Sequence, residues 1–111
     1  MPFNNVDALE DVLKNRDVAG FIVETIPATY GFPLPDEGYL KACQDLCHKY
    51  GTKFISDEVQ TGLMRTGIMW GWQGYDLQPD IFVCGKGLGG GIYPISACLV
   101  TEECGQWLVE D

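Results

Sequence analysis

The sequence predicts an α/β fold, with a mostly parallel sheet and flanking helices. Three observations predict it. Apolar runs of strand length alternate with stretches of helical periodicity, in the order αβαβ(α)ββα. The run at 18–23 is apolar throughout, the pattern of a strand buried on both faces. Charged residues follow the runs: Glu24 after the first, Asp57 after the second and Lys86 after the third. In a parallel sheet all three then lie at C-terminal strand ends, the edge at which open α/β sheets bind ligands.

The elements follow in order. Asn5 can cap a helix over 6–15, with Val6, Leu9, Val12 and Leu13 as its apolar stripe and Lys14 and Arg16 at its C-terminal end. The strand at 18–23 comes next. Residues 25–35 hold three prolines and a glycine and read as a loop. Asp36 opens the clearest helix; Tyr39, Leu40, Cys43, Leu46, Cys47 and Tyr50 keep helical spacing until Gly51 stops it. A strand is expected at 53–56, a loop at 61–66 and a short aromatic helix or turn at 68–75. Further strands are expected at 81–84 and 95–100. Thr101 then caps a last helix, with Glu102 and Glu103 in its first turn. No internal repeat or low-complexity linker interrupts this order.

The 111 residues make at most one domain. A net charge of −9 without a basic cluster argues against nucleic acid and anionic membranes as partners. No apolar stretch reaches transmembrane length, and the N-terminus lacks the regions of a signal peptide. The five cysteines are odd in number and fall in predicted core elements, as reduced thiols do in an intracellular protein. The expected compartment is the cytoplasm, with the mitochondrion left open. Cys43, Cys47 and His48 make a poor metal site, because His48 turns about 100° away from Cys47 on a helix and a fourth ligand is missing.

The chemistry concentrates at Gly85-Lys86-Gly-Leu-Gly-Gly-Gly-Ile-Tyr-Pro94. A phosphate-binding P-loop needs a glycine where Asp80 stands and Ser or Thr where Gly87 stands, so it is rejected. Gly85, Gly87 and Gly90 satisfy a dinucleotide fingerprint, but Tyr93-Pro94 leaves no room for its helix. A Schiff-base lysine fits better. An amine desolvated at a buried strand end loses basicity and can attack an aldehyde, and flanking glycines admit a bulky cofactor. Asp57 supplies a carboxylate for the ring nitrogen of pyridoxal phosphate, which keeps the ring protonated and electron-accepting. Singly, each residue has a plainer reading: Lys86 reaching into solvent, Asp57 capping a loop. Their pairing at adjacent strand ends favours the cofactor. Asp57 and Glu58 are consecutive and point to opposite faces, so they are not a paired acid and base. Val59 shares the Asp57 face if the strand continues.

The segments Lys53-Phe-Ile-Ser-Asp-Glu-Val-Gln-Thr-Gly-Leu-Met-Arg-Thr-Gly67, Pro79-Asp-Ile81 and Gly85-Lys-Gly-Leu-Gly-Gly-Gly-Ile-Tyr-Pro-Ile-Ser-Ala97 resemble the class III aminotransferases. These are pyridoxal-phosphate enzymes of fold type I, and the resemblance runs from about Pro2 to the end of the chain. It implies that Lys86 forms the Schiff base and then shuttles a proton, and that Asp57 pairs with the pyridine nitrogen. It further implies that Val59 packs on the ring, that Gln60 contacts the phenolic oxygen and that Glu24 stands behind the site. Arg65 is expected to brace its loop, and Trp70, Trp72 and Tyr75 to be core or subunit-interface aromatics.

The implied reaction moves an amino group from an amine or amino acid to a 2-oxo acid, in a homodimer or higher homo-oligomer. Ornithine-type members read Glu-Pro-Ile-Gln-Gly-Glu where this chain reads Glu24-Thr-Ile-Pro-Ala-Thr29. Thr29 replaces a glutamate that gates a substrate-binding arginine in those members, which argues against ornithine or 4-aminobutyrate as donor. A lyase or mutase on the same scaffold, or a catalytically incompetent fragment with a structural role, are the alternatives. Family members are several times longer. The 111 residues are therefore expected to be the middle of the large cofactor-binding domain, without the small domain.

Overall fold

The computed structural model describes residues 1–106. Helix α1 (Val6–Leu13) starts where Asn5 accepts the Ala8 N–H, as the capping pattern requires. Strand β1 (Gly20–Glu24) leads through a loop containing a single 3-10 turn, Ala28–Tyr30, to α2 (Tyr39–Tyr50). Strand β2 (Lys53–Asp57), a 3-10 turn at Gly71–Tyr75, β3 (Ile81–Cys84), β4 (Ala97–Val100) and the short α3 (Glu102–Gly105) complete the order. Thr101 caps α3 as expected, its hydroxyl accepting the Cys104 N–H. No helix among the described residues is long and apolar enough to cross a membrane.

The four strands form one sheet in the order β1-β2-β3-β4. The first three are parallel and β4 runs antiparallel to β3. The core lies between the sheet and the two long helices. Leu9 and Leu13 of α1, Leu40, Cys43 and Cys47 of α2, and Val23 and Phe54 of the sheet are buried together. Gly51, left-handed at φ 80°, ends α2, and its N–H reaches back to the helix carbonyls.

The structure departs from expectation in several places. Helix α1 ends at Leu13, two residues short of the expected end, and β1 runs over Gly20–Glu24 rather than 18–23. Helix α2 begins at Tyr39 rather than Asp36, because Gly38 adopts φ 77° and breaks helical continuity. Burial on both faces fails for β1: Ile22, between Phe21 and Val23, is 58% exposed. Its neighbours turn toward α1 and α2, which pack on one face only; the described residues put no helix on the other. Strand β4 starts at Ala97, two residues later than expected, after the turns that carry Gly90 and Gly91 at positive φ. Cys43, Cys47 and Cys84 are buried, but Cys98 is exposed because β4 turns it, beside Val83, onto the uncovered face.

Candidate active site

The register of the sheet aligns three chain segments at one edge. Glu24 pairs with Asp57 across β1 and β2, and Asp57 pairs with Val83 across β2 and β3. Lys86 follows Val83 by three residues, so the acid and the amine sit at matching ends of neighbouring parallel strands. Strand β2 stops at Asp57 instead of continuing. The Asp57 Oδ1 atom accepts the Val59 N–H at 3.0 Å, which folds the chain into a turn. Val59 consequently reaches the Lys86 side of the edge by a turn rather than by strand alternation. The other oxygen, Oδ2, has no hydrogen-bond partner among the described residues.

Beyond β3, Gly85 leads into a 3-10 turn at Lys86–Gly89. Lys86 is held at φ 42°, in the left-handed region that a residue with a Cβ adopts only at a cost of about 1–2 kcal/mol. That backbone aims the side chain back across the edge, where its Nζ donates to Oε1 of Gln60. Val59, Gly85, Lys86, Pro94, Ile95 and Ser96 line an open cavity of about 430 Å³. A Cβ on Gly85 would stand 3.9 Å from the Val59 side chain and 3.7 Å from the Ile95 carbonyl, on the floor of that cavity. The expectation of a desolvated amine is corrected here: Lys86 is exposed. It projects from a turn whose flanking residues, Gly85 and Gly87, have no side chains to cover it.

The lysines differ in their partners. Lys14 bonds Asp11, Lys41 bonds Asp45, Lys49 bonds Glu10 and Lys53 bonds Glu103, each within 2.9 Å. Hydrogen bonds to those carboxylates raise the basicity of Lys14, Lys49 and Lys53. Lys86 alone has no carboxylate within ion-pair distance among the described residues; its partner is a neutral amide.

Sequence reasoning excluded Glu58 from acid–base work and missed what it does. The side chain is 1% exposed and accepts four hydrogen bonds. The readable signal was the polar triplet Ser56, Glu58 and Thr61 at the end of an apolar strand, since buried polar groups require partners. Glu24 is also anchored, its Oε2 accepting the Ala28 N–H at 3.1 Å. That bond holds the turn bearing Thr29, and Glu24 and Thr29 share a separate cavity of about 260 Å³ at the β1 edge. Arg65 is exposed, and its side chain makes no hydrogen bond among the described residues. Trp70 and Trp72 pack on Phe82, with ring centroids at 4.8 and 6.0 Å. Tyr75 packs against the buried core.

The family model for class-III aminotransferases matches residues 2–110 of this chain. The chain belongs to that family. A Caenorhabditis elegans protein named "Probable ornithine aminotransferase, mitochondrial" is 50% identical over 103 residues, covering 93% of this chain and 24% of its own length. Acetylornithine aminotransferase from Elizabethkingia anophelis superposes with a TM-score of 0.87 at 46% identity, over 91% of this chain and 26% of the other. Toxoplasma gondii ornithine aminotransferase, whose structure is described with partial occupancy of PLP at its active site, superposes with a TM-score of 0.93 at 38% identity. That match covers 99% of this chain and 26% of the other. The class uses pyridoxal phosphate, and the four-stranded sheet with its flanking helices is part of its fold. This chain spans about a quarter of the length of these relatives.

Proposed function

We propose that this chain is the central part of the large cofactor-binding domain of a pyridoxal-phosphate transaminase, with Lys86 as the cofactor lysine. The observation that carries the reading is the placement of Lys86. Among the described residues it is the lysine without a carboxylate partner, and it meets Gln60 at the strand edge that ends in Asp57. The residues present fit the cofactor. The cavity floor is glycine, one wall is Val59, and Asp57 keeps an oxygen unpartnered among the described residues at the adjacent strand end.

Bound there, pyridoxal phosphate supplies an aldehyde for an amine and a protonated ring that withdraws electrons. The chain's own residues supply the rest. Lys86 Nζ would be the amine that attaches the cofactor, and would hold and return a proton. Asp57 would hold the ring nitrogen, and Val59 would pack beside the ring. Gln60 accepts from Lys86 and would hold the phenolic oxygen through its amide NH₂. The reaction moves an amino group from an amine or amino acid to a 2-oxo acid.

The homo-oligomeric assembly, the intracellular location and the substrate-side groups belong to this proposal for the whole enzyme. Thr29 argues for a donor other than ornithine. Assaying the full-length enzyme with a panel of amines and a 2-oxo acid acceptor tests the reading. Transfer that depends on Lys86 and is lost in Lys86→Ala supports it. Elimination without a 2-oxo acid requirement would assign a lyase instead.

A further inference from the structure

We propose that Glu58 is the positioning residue of this site, acting through Asp57, Val59, Gln60 and Lys86. The proposal rests on the reading of Lys86 as the cofactor lysine. Glu58 points away from Asp57 and is buried, so it does not reach the reacting atoms. Its contacts instead fix the chain on which the reacting residues stand. Oε1 accepts the Ser56 hydroxyl at 2.8 Å and the Trp72 N–H at 3.1 Å. Oε2 accepts the Thr61 hydroxyl at 3.0 Å and the Gly71 N–H at 2.7 Å. The main chain of the same residue donates to the Val83 carbonyl at 2.8 Å and accepts the Gly62 N–H at 2.9 Å.

One residue therefore joins the end of β2, the end of β3, the turn at 59–62 and the aromatic turn at 71–75. Asp57, Val59 and Gln60 bracket the joint, and Lys86 lies three residues beyond its contact on β3. Movement of Glu58 changes the direction of all four. An ionised carboxylate accepts at both oxygens and so suits four converging donors. Glutamine keeps the volume but places an NH₂ at one position. Either orientation sets that NH₂ against a backbone N–H, of Gly71 or of Trp72, and a backbone donor cannot rotate away as a hydroxyl can.

The test uses the full-length holoenzyme. Wild type, Glu58→Gln and Leu9→Ala are compared in kcat, in KM for the amine, in the pH titration of the cofactor absorbance and in urea midpoint. Leu9 is buried against α2, remote from the edge. Glu58→Gln is expected to lower kcat about tenfold or more, as misplaced reacting groups do, with KM little changed and the titration midpoint moved. Leu9→Ala is expected to lower the urea midpoint and leave the titration in place. An unmoved titration and kcat in Glu58→Gln, with only the urea midpoint lowered, overturns the proposal and leaves a structural role. If Glu58→Gln does not fold, Thr61→Val removes one link to Oε2. A lowered kcat with a moved titration midpoint supports the proposal, and no change in either overturns it. A wild-type cofactor band that does not depend on Lys86 removes the parent reading and this proposal together. A Lys86-dependent band with an unmoved Glu58→Gln titration removes this proposal alone.

Discussion

Gly71→Ala tests the packing beneath the active edge. A Cβ at this position would stand 2.8 Å from the Thr25 hydroxyl oxygen and 2.9 Å from the Thr61 Cβ. Thr25 is 0% exposed and Thr61 2% exposed, so neither has room to withdraw. Gly71 is not in the left-handed region, and the cost therefore comes from space rather than backbone strain. Overpacking of this kind costs about 1–3 kcal/mol. Pushing the backbone outward also stretches the 2.7 Å bond from the Gly71 N–H to Glu58, so the upper part of the range, about 2–3 kcal/mol, is expected. Gly74→Ala is the control. Its Cβ would meet only the Ile68 Cδ1 atom at 3.1 Å, the tip of a side chain 38% exposed, and about 0.5 kcal/mol or less is expected. Urea unfolding of the full-length enzyme, followed by tryptophan fluorescence, reads both variants because Trp70 and Trp72 flank the site. Equal stabilities, within about 0.5 kcal/mol, would refute the packing argument.

Two further outcomes follow from burial. Desolvation pushes the Cys43 thiol up to about 11 and the Cys47 thiol up to about 12, above an ordinary 9.0. A raised thiol pKa means less thiolate at any pH below it, so at pH 8 Cys43 should alkylate about a hundredfold more slowly than an ordinary thiol. The rate should keep climbing about tenfold per pH unit until pH nears 11, where that of an ordinary thiol has already levelled off near 9. Mass spectrometry after iodoacetamide should find the exposed Cys98 modified first, and early labelling of Cys43 would contradict the core described above. The isolated 111-residue chain should be aggregation-prone, because among the described residues one face of its sheet is bare and β1 and β4 present open edges. Light scattering and urea unfolding check this; a monodisperse monomer with sharp cooperative unfolding would contradict it.

What the sequence could reveal depended on whether the signal was local. The Asn5 cap, the Gly51 stop and most of the apolar stripes of α1 and α2 are written within a few residues, and the structure reproduces them, although Val12 of the α1 stripe is exposed. The alignment of Asp57 with the Lys86 strand was also legible, since parallel runs of similar length bring their ends together. The start of α2 was misplaced because a left-handed glycine next to an acidic residue reads much like a cap. Two-sided burial was inferred from an apolar run, yet periodicity records what a strand tolerates, not what these residues pack against it. The Glu58 joint was hidden because two of its four donors are backbone N–H groups thirteen and fourteen residues away. No sequence pattern marks such donors. The Lys86–Gln60 contact spans 26 positions and depends on the turn that Asp57 makes with Val59.

Under the proposed function, Lys86 alone of the five lysines carries the cofactor. Borohydride reduction of the full-length enzyme with pyridoxal phosphate, followed by peptide mapping, tests it most directly. The account predicts a single reduced adduct on the peptide containing Lys86, with Lys14, Lys41, Lys49 and Lys53 held back by their carboxylate partners. Equal labelling across the five lysines, or an adduct on one of the ion-paired four, would contradict it.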